Sequence, residues 1–282
     1  MKRGVDALGD PIVFEAFQLS QNVMIRQMEH SSTSLGGGLF SSSDAPRMPD
    51  SSLYTESESK WYPFQLAYQL LCLDSLVNPE SEDRSIVDLI WASTGSGKTE
   101  AYLALAAMSI IYRRLTAGSR SGGTVVITRY TLRLLTVQQF ERTARLACAL
   151  ESLRKEHPSS LGKEPVTIGL WIGRSQTPNT FSECIEWAQD IELNPSGQKG
   201  FQISGCPWCG ARIVPVQDAP PRDNQFGFTA KNNSFKLHCP SIQCDFNEEL
   251  PIQIVDEALY MNPPTILIGT CLLYTSDCRR RS

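Results

Sequence analysis

The stretch that decides the fold is residues 86–100, which read IVDLIWASTGSGKTE. Its apolar run predicts a strand over 86–91, and a helix-forming run follows at 101–115. The glycine-rich turn between them matches the Walker A phosphate loop, a motif that is specific only in this strand–loop–helix context. Gly95 and Gly97 let the backbone wrap tightly, so that successive N–H groups can point at phosphate oxygens. An ordinary glycine–serine turn before a helix is the competing interpretation.

Two side chains of this loop have expected partners in bound Mg-ATP. Lys98 would reach the β- and γ-phosphates of ATP, and the hydroxyl of Thr99 would be a ligand of Mg²⁺. The amino end of the following helix adds unpaired N–H groups and partial positive charge. Lys98 and Thr99 are thus the candidate catalytic residues. The predicted ATP-binding residues of the loop are Ser93, Thr94, Gly95, Ser96, Gly97, Lys98 and Thr99.

Two further features resemble superfamily 2 helicases. Ala92 holds the position of the usual first glycine, and the loops of these helicases often read A-x-T-G-x-G-K-T. Gln65 precedes a helical run at 66–76, like the glutamine of the adenine-reading Q motif. A carboxamide both donates and accepts hydrogen bonds, which suits the edge of adenine. Gln65 is therefore a candidate adenine contact, with a plain position on the helix surface as the alternative.

Composition bounds the class of protein. The chain has 282 residues, 41% of them hydrophobic, which suggests one large globular domain or two smaller ones. No secretory signal is visible, and the longest apolar run, 101–112, is too short to cross a membrane. We therefore expect a cytoplasmic protein without membrane contact, whose nine cysteines are reduced. Cys72, Cys148 and Cys184 are expected to be small buried residues.

Positive charge is concentrated in one part of the chain. The net charge is −4, yet residues 113–155 contain nine lysines and arginines against two glutamates, a local excess of +7. Within this part, a predicted strand at 124–128 leads directly into Arg129, Thr131 and Arg133. Open α/β sheets bind ligands at the carboxyl ends of their strands. These three residues are therefore the candidate contacts to the phosphates of a nucleic acid, with single-stranded DNA as the expected partner.

The order of the predicted elements indicates the fold class. Apolar strands at 124–128, 166–171 and 265–269 are separated by helical patterns, of which 137–153 is the clearest. Alternating strands and helices predict an α/β fold with a mostly parallel sheet.

Four cysteines between the last two strands form a metal-binding pattern. Cys206 and Cys209 make a tight C-x-x-C knuckle, and Cys239 and Cys244 make a looser one. Two thiolate pairs at this separation match a tetrahedral zinc site of ribbon type. Redox chemistry would need only one pair, and His238 in place of Cys239 is the alternative ligand. A closed four-ligand site would fold the insertion without taking part in catalysis.

Asp256 and Glu257 resemble the acidic pair of a Walker B box. The preceding residues 251–254 alternate polar and apolar, whereas a central parallel strand should be apolar throughout. The strand at 265–269 also begins too soon to leave room for a crossover helix. We therefore expect this pair to belong to the exit from the cysteine insertion, with the true acidic box beyond the end of the chain.

Both ends of the chain differ in character from the middle. A helix is predicted at 11–30, and the Ser/Gly/Asp/Pro-rich stretch 31–60 is typical of a flexible linker. The last twelve residues, 271–282, resemble the translation of a sequencing-library adapter, with a genuine basic tail as the alternative. Without them the net charge is −6 and seven cysteines remain.

Several stretches together resemble the helicase subunit of the DISARM anti-phage system. They are YPFQL at 62–66, VDLIW at 87–91 with the phosphate loop, RYTLRLLTVQQF at 129–140, GLWIG at 169–173, the cysteine insertion, and PTILIGT at 264–270. The resemblance implies an ATP-driven superfamily 2 helicase or translocase with defence-system partner subunits. It also implies that 129–133 lie in motif Ia, which contacts a nucleic-acid backbone, and that Gly269 and Thr270 lie near motif Ib. Walker B, motif III and a second lobe with its arginine finger are not recognisable.

These observations predict the first RecA-like lobe of a P-loop NTPase, interrupted by a zinc ribbon. The expected domains are a helix and linker at 1–60, the first part of the lobe at 61–200, the ribbon at 201–250, a return to the lobe at 251–270, and the foreign tail. The cofactors would be ATP, Mg²⁺ and structural Zn²⁺. The full-length protein would be an ATPase, whereas this stretch alone would be inactive. The alternative is a nucleotide-gated scaffold that grips nucleic acid or protein through its zinc ribbon.

Overall fold

The computed structural model shows an α/β protein. It describes residues 1–35, 39–41, 44–57, 59–130, 137–173, 177–195, 203–217, 219 and 225–270. The proposed foreign tail, 271–282, lies outside these residues. None of the helices described is both long and apolar enough to cross a membrane.

The elements predicted from the sequence appear in the expected order with boundaries shifted by a few residues, except that the strand predicted at 86–91 does not form. The α-helices are α1 Lys2–Ala7, α2 Pro11–Leu35, α3 Leu53–Glu56, α4 Pro63–Val77, α5 Lys98–Ala117, α6 Val137–Glu156, α7 Pro158–Leu161, α8 Phe181–Leu193 and α9 Asp256–Met261. Short 3₁₀ helices span Glu82–Ser85 and Gly118–Arg120. The strands are β1 Val126–Tyr130, β2 Ile168–Trp171, β3 Phe228–Lys231, β4 Ser234–Leu237, β5 Ile252–Gln253 and β6 Ile266–Thr270.

The chain forms two compact units. The first unit comprises Met1–Glu29, Asp50–Gly122 and Leu153–Glu164, and the second comprises His30–Pro49, Gly123–Ser152 and the chain from Pro165 onward. The phosphate loop belongs to the first unit, whereas the parallel sheet and the cysteine insertion belong to the second.

The first unit is helical, with α4 packed against both α1 and α5. Small side chains on α5, among them Ala101, Ala104 and Ala107, are fully buried and allow close helix packing. The buried face of α4 is unusual, because it carries Gln65 and Gln69 beside Cys72 and Leu73.

The second unit contains a parallel sheet with the strand order β1-β6-β2-β5, flanked by helices. One face of this sheet is closed by fully buried residues such as Ile266, Ile268, Ile168 and Leu170. On the opposite face, any side chain at Gly169 would collide with Leu259 and Pro264, so α9 and the turn after it lie directly against β2. This arrangement confirms the predicted α/β class with a parallel sheet.

Candidate nucleotide and metal sites

The segment before the phosphate loop differs from its predicted form. Residues 86–91 form no strand, and among the described residues no strand pairs with them. Their apolar side chains are largely in solvent: Val87 is 92% exposed and Trp91 is 91% exposed. The sequence pattern records an apolar segment, but a parallel strand obtains its hydrogen bonds from strands far away in sequence. That partner cannot be read from the segment itself.

The phosphate loop itself has the backbone that its glycines predict. Gly95 and Gly97 have φ of 82° and 85°, in the left-handed region that favours glycine. A turn closes where the Ser96 amide donates to the Ser93 carbonyl at 3.3 Å. Helix α5 then begins at Lys98, and the first amides of a helix have no acceptor within the helix. The first turn of α5 therefore leaves backbone N–H groups that a phosphate could accept from.

Lys98 closes the loop on itself. Its Nζ donates to the carbonyl of Ala92 at 2.7 Å and to that of Ser93 at 2.5 Å. The ammonium is thus held at the mouth of the loop by neutral acceptors. An anionic phosphate oxygen would be a stronger acceptor, because it would add the attraction of opposite charges that a neutral carbonyl does not supply.

One buried polar atom of the loop has no partner. The hydroxyl of Ser96 is inaccessible to solvent and makes no hydrogen bond in the structure. Thr99, the predicted magnesium ligand, is half-buried in the first turn of α5. Buried hydroxyls are normally hydrogen-bonded, so an orphan at this place suits a site that is completed by a ligand. The residues present therefore fit a nucleotide phosphate.

Gln65 lies against the loop. Its Nε2 donates to the carbonyl of Gly97 at 2.7 Å, and its Oε1 accepts from the backbone of Tyr62 at 2.8 Å. The residue is only 4% exposed. The structure thus brings Gln65 to the phosphate loop, while its contact with adenine stays a prediction.

The four cysteines of the insertion converge. The sulfurs of Cys206, Cys209, Cys239 and Cys244 all lie within 4.8 Å of one another, and all four residues are buried. Two of the sulfur–sulfur distances are 4.0 Å, for Cys206 and Cys244, and 3.5 Å, for Cys209 and Cys239. A tetrahedron with Zn–S bonds of about 2.3 Å has edges of about 3.8 Å. The cluster can therefore hold a metal ion such as zinc. Its members include Cys239 and not His238.

The protonation of the thiols also suits a cation. Burial raises the pKa of Cys206, but hydrogen bonds from the other three thiols outweigh burial and hold that pKa well below its usual value. Hydrogen bonding to Cys206 and Cys209 raises the pKa of both Cys239 and Cys244. A thiolate at Cys206 thus disfavours thiolates beside it. A divalent cation removes this conflict, because metal binding deprotonates coordinating thiols.

Two contacts to the knuckle were not evident from the sequence. His30 on α2 has its Nδ1 at 2.8 Å from the Trp208 carbonyl, and its ring stacks on the Trp208 indole with centroids 3.3 Å apart. Arg145 on α6 donates from Nε to the Pro207 carbonyl at 2.8 Å. The indole in turn donates to Asp245 at 2.9 Å, which ties one knuckle to the other. The two residues between Cys206 and Cys209 are therefore fixed from outside the insertion.

The predicted nucleic-acid contacts are only partly described. Arg129 is exposed on β1, in register with Gly269 of β6, and Tyr130 is in register with Thr270. The stretches assigned to motifs Ia and Ib therefore meet on neighbouring strands. Thr131 and Arg133 lie outside the described residues.

Asp256 and Glu257 begin helix α9, after the two-residue strand β5 at the edge of the sheet. The expectation that this stretch leaves no room for a crossover helix is wrong, because β5 and β6 both pair in parallel with β2 and α9 connects them. A single helix of six residues is enough for this connection. The carboxylate of Glu257 accepts from the Phe181 amide at 2.9 Å, at the start of α8. Burial raises the pKa of Asp256, whose Oδ1 has no hydrogen-bond partner. Glu257 is thus engaged as a helix cap, a placement that favours a structural role for the pair.

The chain is similar to a protein of the DISARM system. It is 38% identical over 221 residues to the DISARM protein DrmA of Bacillus paralicheniformis. The predicted resemblance is confirmed. The similar region is 75% of this chain but 19% of DrmA, so the chain spans about a fifth of the length of this relative. No family model matches the chain.

Proposed function

We propose that this chain is the nucleotide-binding part of a DISARM superfamily 2 DNA helicase or translocase. In this proposal it contributes most of a first RecA-like lobe, over residues 61–200 and 251–270. A zinc ribbon over 201–250 interrupts the lobe, and residues 1–60 precede it. The complete protein would act as a cytoplasmic ATPase on DNA, together with other subunits of the defence system.

The observation that carries this proposal is the phosphate loop. Its two left-handed glycines, the Lys98 ammonium held at the Ala92 carbonyl and the unpartnered Ser96 hydroxyl all lie within four residues at the start of α5. Together they offer what a triphosphate requires: backbone donors, one cation and a hydroxyl close to the metal. Similarity to DrmA supports the assignment to a defence system.

The residues have separate roles in this proposal. Residues 93–99 hold the phosphates, Lys98 neutralises charge on the β- and γ-phosphates, and Thr99 ligates Mg²⁺. Arg129, Thr131 and Arg133 bind phosphates of single-stranded DNA, which makes the interaction salt-dependent and independent of sequence. Zinc in the four-cysteine cluster has a structural role, because a closed site has no open coordination position.

Nucleotide binding tests the central claim. Titration of the 282-residue chain with a fluorescent ATP analogue and Mg²⁺ should give weak, saturable binding. Lys98→Ala should abolish it, since this substitution removes the cation aimed at the phosphates. Lys163→Ala, which removes an exposed lysine outside the loop, is the matched control and should bind as the parent does. Equal binding by the Lys98→Ala variant and the parent would overturn the proposal.

A further inference from the structure

Buried glutamines link helix α2 to the phosphate loop. On α4, Gln65 and Gln69 are 4% and 3% exposed, whereas Leu66 and Leu71 on the same helix are 38% and 48% exposed. This is the reverse of the usual distribution of polar and apolar side chains on a helix. Burial of a carboxamide is costly unless its donors and acceptors are satisfied. A specific network must therefore compensate for both residues.

That network begins at Trp61 and ends at Gly97. The Trp61 indole donates to Gln21 Oε1 at 2.6 Å, and Gln21 Nε2 donates to Gln69 Oε1 at 3.0 Å. Gln69 Nε2 lies 3.4 Å from the carbonyl of Gln65, whose own carboxamide donates to Gly97. All of these residues belong to the first compact unit.

The end of the network meets the loop where space is tightest. A Cβ at position 97 would lie 2.6 Å from Gln65 Nε2, so glycine is required there both for its φ of 85° and for this close approach. Gly97 is the residue immediately before α5 and supplies the last peptide of the loop. Its carbonyl, once held by Gln65, fixes the direction of the N–H groups that follow.

We propose that Gln21 and Gln69 are positioning residues of the nucleotide site, which act through Gln65 to hold the phosphate loop in its binding conformation. Helix α2 would then support the nucleotide site indirectly, through the glutamines and not through the nucleotide. Gln65 acts mainly on the loop, so its effect does not depend on the base. This inference rests on the proposed nucleotide-binding function.

The experiment compares Mg-ATP and Mg-GTP binding by the full chain and its variants. Gln21→Leu and Gln69→Leu should each weaken both nucleotides by about two- to tenfold, the range that loss of one hydrogen bond gives. The matched control is Gln27→Leu. Gln27 is a buried glutamine on α2, the helix that carries Gln21, and its Oε1 has no hydrogen-bond partner. Its replacement should leave nucleotide affinity unchanged.

A double substitution separates positioning from a general loss of stability. If Gln21 acts through Gln65, then Gln21→Leu should add nothing to the loss caused by Gln65→Leu, because coupled residues are not additive. Additive losses would overturn the inference, and so would equal effects of Gln21→Leu and Gln27→Leu. A Gln65→Leu loss confined to ATP would also overturn it, by showing that Gln65 reads adenine. Failure of Lys98→Ala to reduce binding would instead contradict the proposed function itself.

Discussion

The cysteine cluster and the phosphate loop were both recognisable as motifs, yet the structure completes them to different degrees. All four sulfurs of the cluster are buried, and both knuckles are joined through Trp208 and Asp245. The loop has its predicted backbone, but the apolar segment 86–91 that leads into it is exposed and unpaired among the described residues. The difference lies in where each site obtains its support. Local turns form each pair of cysteines and a hydrogen bond within the insertion joins the two knuckles, whereas a strand needs a partner from elsewhere in the sequence.

The largest effect is expected at the cluster. Metal analysis of the reduced chain should give about one zinc per molecule. Cys239→Ser should lose that metal and unfold the insertion, since structural zinc contributes about 10–16 kcal/mol to the folding of small zinc domains at pH 7. Loss of protection of the β3–β4 amides in hydrogen exchange measures the unfolding.

Cys184→Ser is the control for this substitution. Cys184 is equally buried, on α8, but is not a member of the cluster. This variant should keep its full metal content. Metal-free parent protein, or a Cys239→Ser variant that folds normally, would contradict a structural metal site at the cluster.

A smaller effect is expected at the carboxyl end of the sheet. Replacement of Arg129 and Arg133 by alanine should weaken binding of single-stranded DNA and flatten its salt dependence by up to about two units, one for each lost phosphate contact. Replacement of Arg120 and Lys155 removes the same charge from outside residues 126–133, and should leave the slope closer to that of the parent. An unchanged slope after loss of Arg129 and Arg133 would assign these arginines to folding.

Features that depend on local sequence could be predicted, and features that depend on distant contacts could not. The glycine conformations, the cysteine pairs and most of the predicted elements depend on local patterns and appear in the structure, whereas the strand predicted at 86–91 does not. The glutamines of α4 could not be foreseen as buried, because Leu66 and Leu71 fit the core better by hydropathy alone. The sequence also gives no sign of the contacts of His30 and Arg145, since each side chain bonds a carbonyl far away in sequence, and a carbonyl carries no residue-specific signal. Gln65 was recognised only as a possible base contact.

The smallest effect concerns whether the phosphate loop has an acidic partner in Asp256 and Glu257. Because Glu257 caps α8, Glu257→Ala should lower the free energy of unfolding by about 1 kcal/mol, the usual cost of a lost cap. Burial raises the pKa of Asp256 in the folded state, so its ionisation opposes folding as pH rises above the unfolded pKa. Asp256→Asn should therefore retain stability at pH 7 and lose part of the pH dependence between acid and neutral pH. Thermal unfolding at several pH values measures both effects.

Catalysis provides the decisive contrast for this pair. Phosphoryl transfer needs a carboxylate near the metal and commonly an arginine finger, which contributes about 10³–10⁵ in rate. In our interpretation the described residues provide neither, since Glu257 is occupied as a cap and Asp256 is half-buried near Trp171 and Glu183. The chain should therefore hydrolyse ATP no faster than the uncatalysed background, and Asp256→Asn and Glu257→Gln should leave that rate unchanged. Robust turnover that either substitution abolishes would identify the pair as the Walker B box. The phosphate loop would then have its catalytic carboxylate. The exposed segment 86–91 would remain as the one respect in which the loop is less completely assembled than the cysteine cluster.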